Sequence, residues 1–357
     1  MTDKKISNFE FGTLNYFIVR AFLIGTTFNY LINVIKQDSW IIPLISVIPA
    51  IIIILFIDYV MKYRPELNLA EKTIELFSKK TGLFLLILLI MCILIFSLLN
   101  SLNMVNFVQS QFLNKTPLLY ISIIFFITTF YIVNKGINVI SRTSNILFYI
   151  GIILLILSFL GLIPVFKLDN LQPIFISPIK KYSNCLNFFY CFNILPMFLL
   201  CMVPKDCFNS PKIKKTLIIS YIVAAISIFF IVFQTITVFG YELTKLYEYP
   251  EFFVLKHINL SARVESILII QLIFDMLVFN ILSVYFIGNS IKSILNIEKL
   301  NVVYFMICLL MIIGTNFLNK YNFYLENAIV NYVPIFLNTF ITLLILIICF
   351  KIKIDKR

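Results

Sequence analysis

Phe84-Leu85-Leu86-Ile87-Leu88-Leu89-Ile90-Met91-Cys92-Ile93-Leu94-Ile95-Phe96 runs without a single polar side chain. A strand of a membrane barrel alternates apolar and polar residues, because one face meets lipid and the other a wet lumen. This run does not alternate, so it reads as a helix with apolar surroundings on every side. It lies within a longer apolar stretch, Leu83–Val108. A helix rises about 1.5 Å per residue and the hydrocarbon core is about 30 Å thick, so about 17 to 25 residues cross it. Lipid leaves unpaired backbone groups unsatisfied, and a helix satisfies them within the segment.

Nine further stretches of this kind flank it: Phe11–Ile35, Trp40–Met61, Pro117–Val133, Ile146–Phe166, Leu186–Val203, Leu217–Gly240, Ile267–Ile291, Val302–Leu318 and Val333–Phe350. Hydrophobic residues make up 61% of the 357 residues and charged residues 13%, against about a quarter charged in soluble domains. The segments between spans are mostly under about 25 residues, too short for a core of their own. Residues 1–357 therefore read as a single all-α transmembrane domain of ten helices.

Lys and Arg outnumber Asp and Glu by 29 to 17, a net charge of +12. With the N-terminus inside, nineteen of the basic residues fall on the inner side and nine on the outer, with Arg20 inside a span. That is the positive-inside pattern, and it places both termini in the cytoplasm. The basic balance is topological, with attraction to anionic membrane lipid as a secondary effect, and it does not point to nucleic acid. No small-residue cleavage site follows the first span, so no removable signal peptide is expected. The seven cysteines form no CxxC pair, and Cys185 and Cys207 fall on opposite sides of this topology. They read as small buried hydrophobes.

Catalytic parts are missing. The one histidine, His257, stands beside Lys256 in an outer loop, and neither a GxxxxGK[ST] nor a GxGxxG motif occurs. No enzyme, metal site or cofactor is expected, which leaves binding, transport or assembly with partners.

Membrane binding sites form where helices break, because freed backbone groups and half-helix ends then meet a ligand near the midplane. The ten spans divide five plus five, into a first repeat at about 11–166 and a second at about 186–350. The first span of the first half holds Gly25-Thr26-Thr27 near its centre, and that of the second holds Asn193-Ile194-Leu195-Pro196. Proline removes an amide and disfavours helix at Leu195. Each interruption is either such a break or an ordinary packing glycine and proline kink. Span three carries Asn100, Ser101, Asn103 and Asn106, with the three asparagines on one face; these either join helices or line a wet site. The candidate ligand-binding residues are Gly25, Thr26, Thr27, Asn103, Asn193 and Pro196.

Arg20 and Asp275 lie deep in spans one and eight. Charge there is costly and marks function by default. Their depths differ by roughly 7 to 8 Å at about 1.5 Å per residue, near the reach of an Arg side chain, so either they pair, directly or through water, or each is satisfied separately. Two surface segments read as interfacial helices. Ala70, Ile74 and Phe77 share one face opposite Glu71, Lys72, Glu75 and Lys79, and the outer stretch Tyr241–Arg263 reads as a lid, a partner contact or an interfacial helix.

Gln37-Asp38-Ser39-Trp40, Thr116-Pro117, Gly136 with Arg142, Leu171-Gln172-Pro173, and Tyr249-Pro250 followed by Arg263-Val264-Glu265-Ser266 together resemble the B subunit of GerA-type spore germinant receptors. The resemblance runs from about Ile6 to the C-terminus. It departs from the family pattern in having no Pro in the first span, Lys36 before Gln37, and Leu272 where Trp is usual. The family belongs to the amino acid–polyamine–organocation superfamily. The resemblance implies a LeuT-like five-plus-five fold and a place in the inner membrane of the spore. It implies A and C subunits as partners and a small nutrient, such as an amino acid, as ligand. An amino acid permease on the same fold and a scaffold that binds no ligand are the rival expectations.

Overall fold

The structure is a computed structural model and describes residues 5–77, 79–208, 212–258, 264–295, 297, 299–321 and 328–355. Arg263 of the last motif, and Lys4, Lys356 and Arg357 of the inner charges, lie outside the described residues.

Helices α1 (Asn8–Arg20) and α2 (Phe28–Ile35) form the first apolar segment. Ser7 caps α1 through a reciprocal box with Glu10, the Ser7 hydroxyl taking the Glu10 N–H while the Glu10 carboxylate takes that of Ser7. The chain turns at Lys36, with φ of 56°, into α3 (Ile41–Ile45) and α4 (Val47–Lys62). There follow α5 (Leu69–Leu76), α6 (Lys79–Gln111), α7 (Leu118–Val133), α8 (Ile137–Leu162) and α9 (Ile179–Phe189). After α9 come a π turn at Tyr190–Ile194 and a 3-10 segment at Leu195–Met202. The rest is α10 (Ile213–Leu246), α11 (Pro250–Phe253), α12 (Val264–Leu268), α13 (Ile270–Leu295), α14 (Leu300–Asn319) and α15 (Val333–Asp355). Among the described residues the one β pairing is an isolated bridge from Ile6 to Phe208.

Eight helical stretches are long and apolar enough to cross a membrane, and the shorter Leu118–Val133 is also apolar. One of the eight, Asn8–Lys62, runs for 55 residues. At about 1.5 Å per residue that is more than twice the hydrocarbon thickness.

The side chains are arranged for lipid. Ile48, Ile124, Ile153 and Leu160 are more than half exposed, while Asn15, Arg20, Asn100, Asn193, Asp275 and Asn280 are buried. A soluble protein would reverse that placement; here the helices turn polar groups inward, where they find one another. The Asn193-bearing segment is the most enclosed of the spans, at 83% buried. Helix α1 packs against α8, α10 and α13, and α13 packs in turn against α6, α7, α8 and α14.

Two expectations need correction. Lys72 does not share the exposed face of α5 with Glu71 and Glu75, because it is buried and its ammonium donates to the Val60 carbonyl at 3.1 Å. Its long stem reaches an orphan carbonyl near the end of α4. Leu195 keeps helical torsions (φ −57°, ψ −39°) although Pro196 follows it. Pro196 sits at the second position of the 3-10 segment, which follows the π turn directly, so the disturbance is taken up as a change of helix type.

Candidate functional site

The first apolar segment leaves helical geometry at Ile24 (φ −67°, ψ 134°) and Gly25 (φ 67°, ψ −19°). Positive φ is the region glycine adopts without a Cβ penalty. The break strips carbonyls of their helical partners, and buried carbonyls must find others. Asparagines from three places do this. Asn193 donates to Val19 O at 2.7 Å, Asn100 to Ala21 O at 2.7 Å, Asn103 to Ile24 O, and Asn29 to Gly25 O at 3.2 Å. Thr27 donates in turn to the side-chain oxygen of Asn193 at 2.9 Å. The interruptions of the first and sixth spans are therefore bonded to each other.

Outside this clamp lies a cavity of about 80 Å³. Its walls are Gly25 and Thr26 from the break, Leu99, Leu102, Asn103 and Asn106 from α6, Phe192, Ile329, and Glu248 and Tyr249 from the loop after α10. The loop forms the roof. Tyr249 is buried, with its ring 5.0 Å from that of Phe107, and Phe252 packs on Phe107 and Phe112 at 6.0 and 5.4 Å. Asn29 reaches up to the Glu248 carbonyl at 2.7 Å. A Cβ at Gly25 would meet the Asn103 side chain and stand 2.8 Å from the Tyr249 ring, so the roof can close this tightly only over glycine.

Of the six candidate ligand-binding residues, Gly25, Thr26 and Asn103 line the cavity. Thr27 and Asn193 are fully buried beneath it, bonded to each other. Pro196 is buried in the 3-10 segment and is not among the residues lining the cavity. Span three serves both uses weighed for it. Asn100 and Ser101 join helices, while Asn103 and Asn106 face the cavity.

Arg20 and Asp275 are in contact. The Arg20 Nε and Nη2 atoms both lie 3.0 Å from Asp275 Oδ2, with both side chains almost wholly buried. Arg20 also donates to the Tyr16 hydroxyl and lies 4.9 Å over that ring. The second Asp275 oxygen has no hydrogen-bond partner.

Sequence reasoning passed over Asn280. Its amide donates to Asn100 Oδ1 at 2.7 Å and its oxygen accepts from Ser97 and Ser101 at 2.7 and 2.8 Å. It locks α13 to α6 directly below the break. The signal was a lone amide in the apolar run from Leu277 to Leu282. The family motifs also meet in space. Gln37 donates to Pro173 O at 2.5 Å, and Asp38 accepts from the Phe175 N–H at 3.0 Å and from the Tyr182 hydroxyl.

A broken first helix bonded to a second interrupted segment, with a small roofed cavity beside them, defines a multi-pass membrane protein with a transporter-like fold. The fold comparison agrees. The chain is similar to the manganese transporter of Eremococcus coleocola, solved with an aromatic bis-isothiourea substituted compound, with a TM-score of 0.64 and 13% identity over 94% of this chain and 76% of that one. Residues 13–323 match the spore germination protein family, also called spore permeases, and the chain belongs to that family. A search of curated proteins returns no match.

Proposed function

We propose that the chain is the integral membrane B subunit of a spore nutrient-germinant receptor, which takes up a small nutrient at the Gly25 break and passes the change to partner subunits. In this reading Asn8–Lys62 crosses twice and the shorter Leu118–Val133 once, giving ten crossings with the other seven stretches, and both termini face the spore core. The A and C subunits are the partners.

The observation that carries the proposal is the polar cavity beside the break, closed by Glu248 and Tyr249. Its about 80 Å³ is far below the roughly 300–1,000 Å³ of pockets for drug-sized ligands, so its occupant is small. The chemistry is zwitterionic. The backbone at the start of α2 presents the positive end of a half helix, and Glu248, among the lining residues, brings a negative charge to the rim. A free amino acid offers both complements.

Ligand then acts as a bias between two arrangements of the bundle, by differential affinity for them. The rival reading is an amino acid permease. The clamp of asparagines on the break favours a receptor, because each bond must be remade at every transport cycle and only once on sensing. Uptake of a labelled panel of the twenty amino acids into proteoliposomes separates the two. Binding without accumulation supports the receptor, and saturable accumulation makes the chain a carrier. A scaffold would neither bind nor accumulate.

A further inference from the structure

Glu251, in the roof helix Pro250–Phe253, has no part in the site as described. It is 1% exposed and neither carboxyl oxygen has a hydrogen-bond partner. An isolated carboxylate in such a place is far costlier than a neutral carboxyl group. Burial pushes its pKa up to about 8; the backbone N–H groups of Glu251 and Gly25 favour the charged form a little without meeting hydrogen-bond geometry. The roof helix begins directly after Tyr249, whose ring packs over Gly25.

No charge on the surrounding elements compensates it. The roof and the turn after it carry Glu248, Lys256 and His257, and the outer end of α10 carries Tyr241, Glu242 and Lys245. The break and α2, and the outer half of α6 from Phe96 to Gln111, carry no Asp, Glu, Lys, Arg or His. Lys256, the nearest cation along the chain, lies over the rings of Phe252 and Phe253 at 4.9 and 4.4 Å. Among the described residues none of these forms an ion pair with Glu251.

We propose that Glu251 is a proton-binding site that locks the roof over the cavity, holding a proton while the roof is down and releasing it to water when the roof lifts. The consequence for nutrient response rests on reading the cavity as the nutrient site; the proton site itself does not. The sign follows from the raised pKa of the closed state. Protonation favours the closed roof, so closure is most stable below the ordinary carboxyl pKa of 4.5 and weakens as pH rises to about 8. One proton released makes opening about tenfold easier per pH unit in that window, with no further gain above it. A nutrient that must lift the roof then binds more tightly at mildly alkaline than at mildly acidic pH.

The test needs no nutrient. Leu255, 3% exposed in the turn that follows the roof helix, is replaced by cysteine, and its reaction rate with an impermeant thiol reagent is divided by that of His257→Cys, an exposed position in the same turn. The ratio removes the reagent's own pH dependence. Between pH 5.5 and 7 it rises about tenfold per unit with Glu251 present and stays level with Glu251→Gln, an uncharged near-isostere. Glu251→Asp, which still titrates, retains a slope and guards against a fold defect in the Gln variant. A level ratio in the Glu251 protein, or a slope that survives Glu251→Gln, overturns the proposal. Neither result touches the nutrient-site reading, which is judged by ligand binding.

Discussion

At the scale of single residues, the Arg20–Asp275 pair carries the largest local electrostatic stake. Both charges are buried, and the attraction between them sets against the cost of removing each from water. Truncating one partner strands the other. We expect Arg20→Met or Asp275→Asn alone to cost roughly 3–5 kcal/mol, seen as lower membrane abundance and a lower unfolding temperature. The double variant, which leaves neither charge buried, should recover part of that loss. Strictly additive defects would show that the two residues are energetically independent despite their contact. The pairing itself was only half legible. Each residue announced itself as a charge inside an apolar run, but which residues face one another depends on helix rotation, which periodicity in a uniformly apolar span does not encode. Asn280 was missed for the same reason, as was the inward turn of Lys72 from a short amphipathic helix.

At the scale of elements, the two interruptions differ in kind. The first is a true break, legible because Gly25 is one of only nine glycines in the chain and sits in mid-span. The sixth was legible as a disturbance but not as its form, since the chain passes Pro196 by changing from a π to a 3-10 turn while Leu195 keeps helical torsions. Pro196→Ala is therefore expected to change stability by about 1 kcal/mol or less. Asn193→Ala removes the donor to Val19 O and the acceptor for Thr27. Leaving buried polar groups unpaired costs about 1–3 kcal/mol each, so this variant should be clearly the less stable in thermal unfolding. Equal effects would mean that the proline, and not the asparagine clamp, holds the two interruptions in register. The roof was legible only as a choice among lid, partner contact and interfacial helix. The cavity walls depend on Glu248 and Tyr249 folding back over a site more than two hundred residues away in sequence, and local pattern says nothing of that.

At the scale of the whole molecule, the fold was the most legible level, because apolar length and the absence of alternation follow directly from the chemistry of lipid. Orientation rests on charge. A cysteine placed at Glu248 should react with an impermeant thiol reagent added from outside, and one at Lys212 should not; the reverse pattern would invert the topology and put the roofed cavity on the inner face. The central claim is that a small amino acid occupies the cavity at the Gly25 break. Thermal unfolding of the purified chain against the panel of twenty amino acids tests it most directly. A ligand at a hundredfold excess over its Kd stabilises by about 2.7 kcal/mol, so at least one amino acid should raise the unfolding temperature, and Gly25→Leu, whose side chain must push Asn103 and Tyr249 out of place, should abolish that rise in protein that still reaches the membrane. Stabilisation that persists undiminished in a folded Gly25→Leu protein would contradict the claim and move the ligand elsewhere.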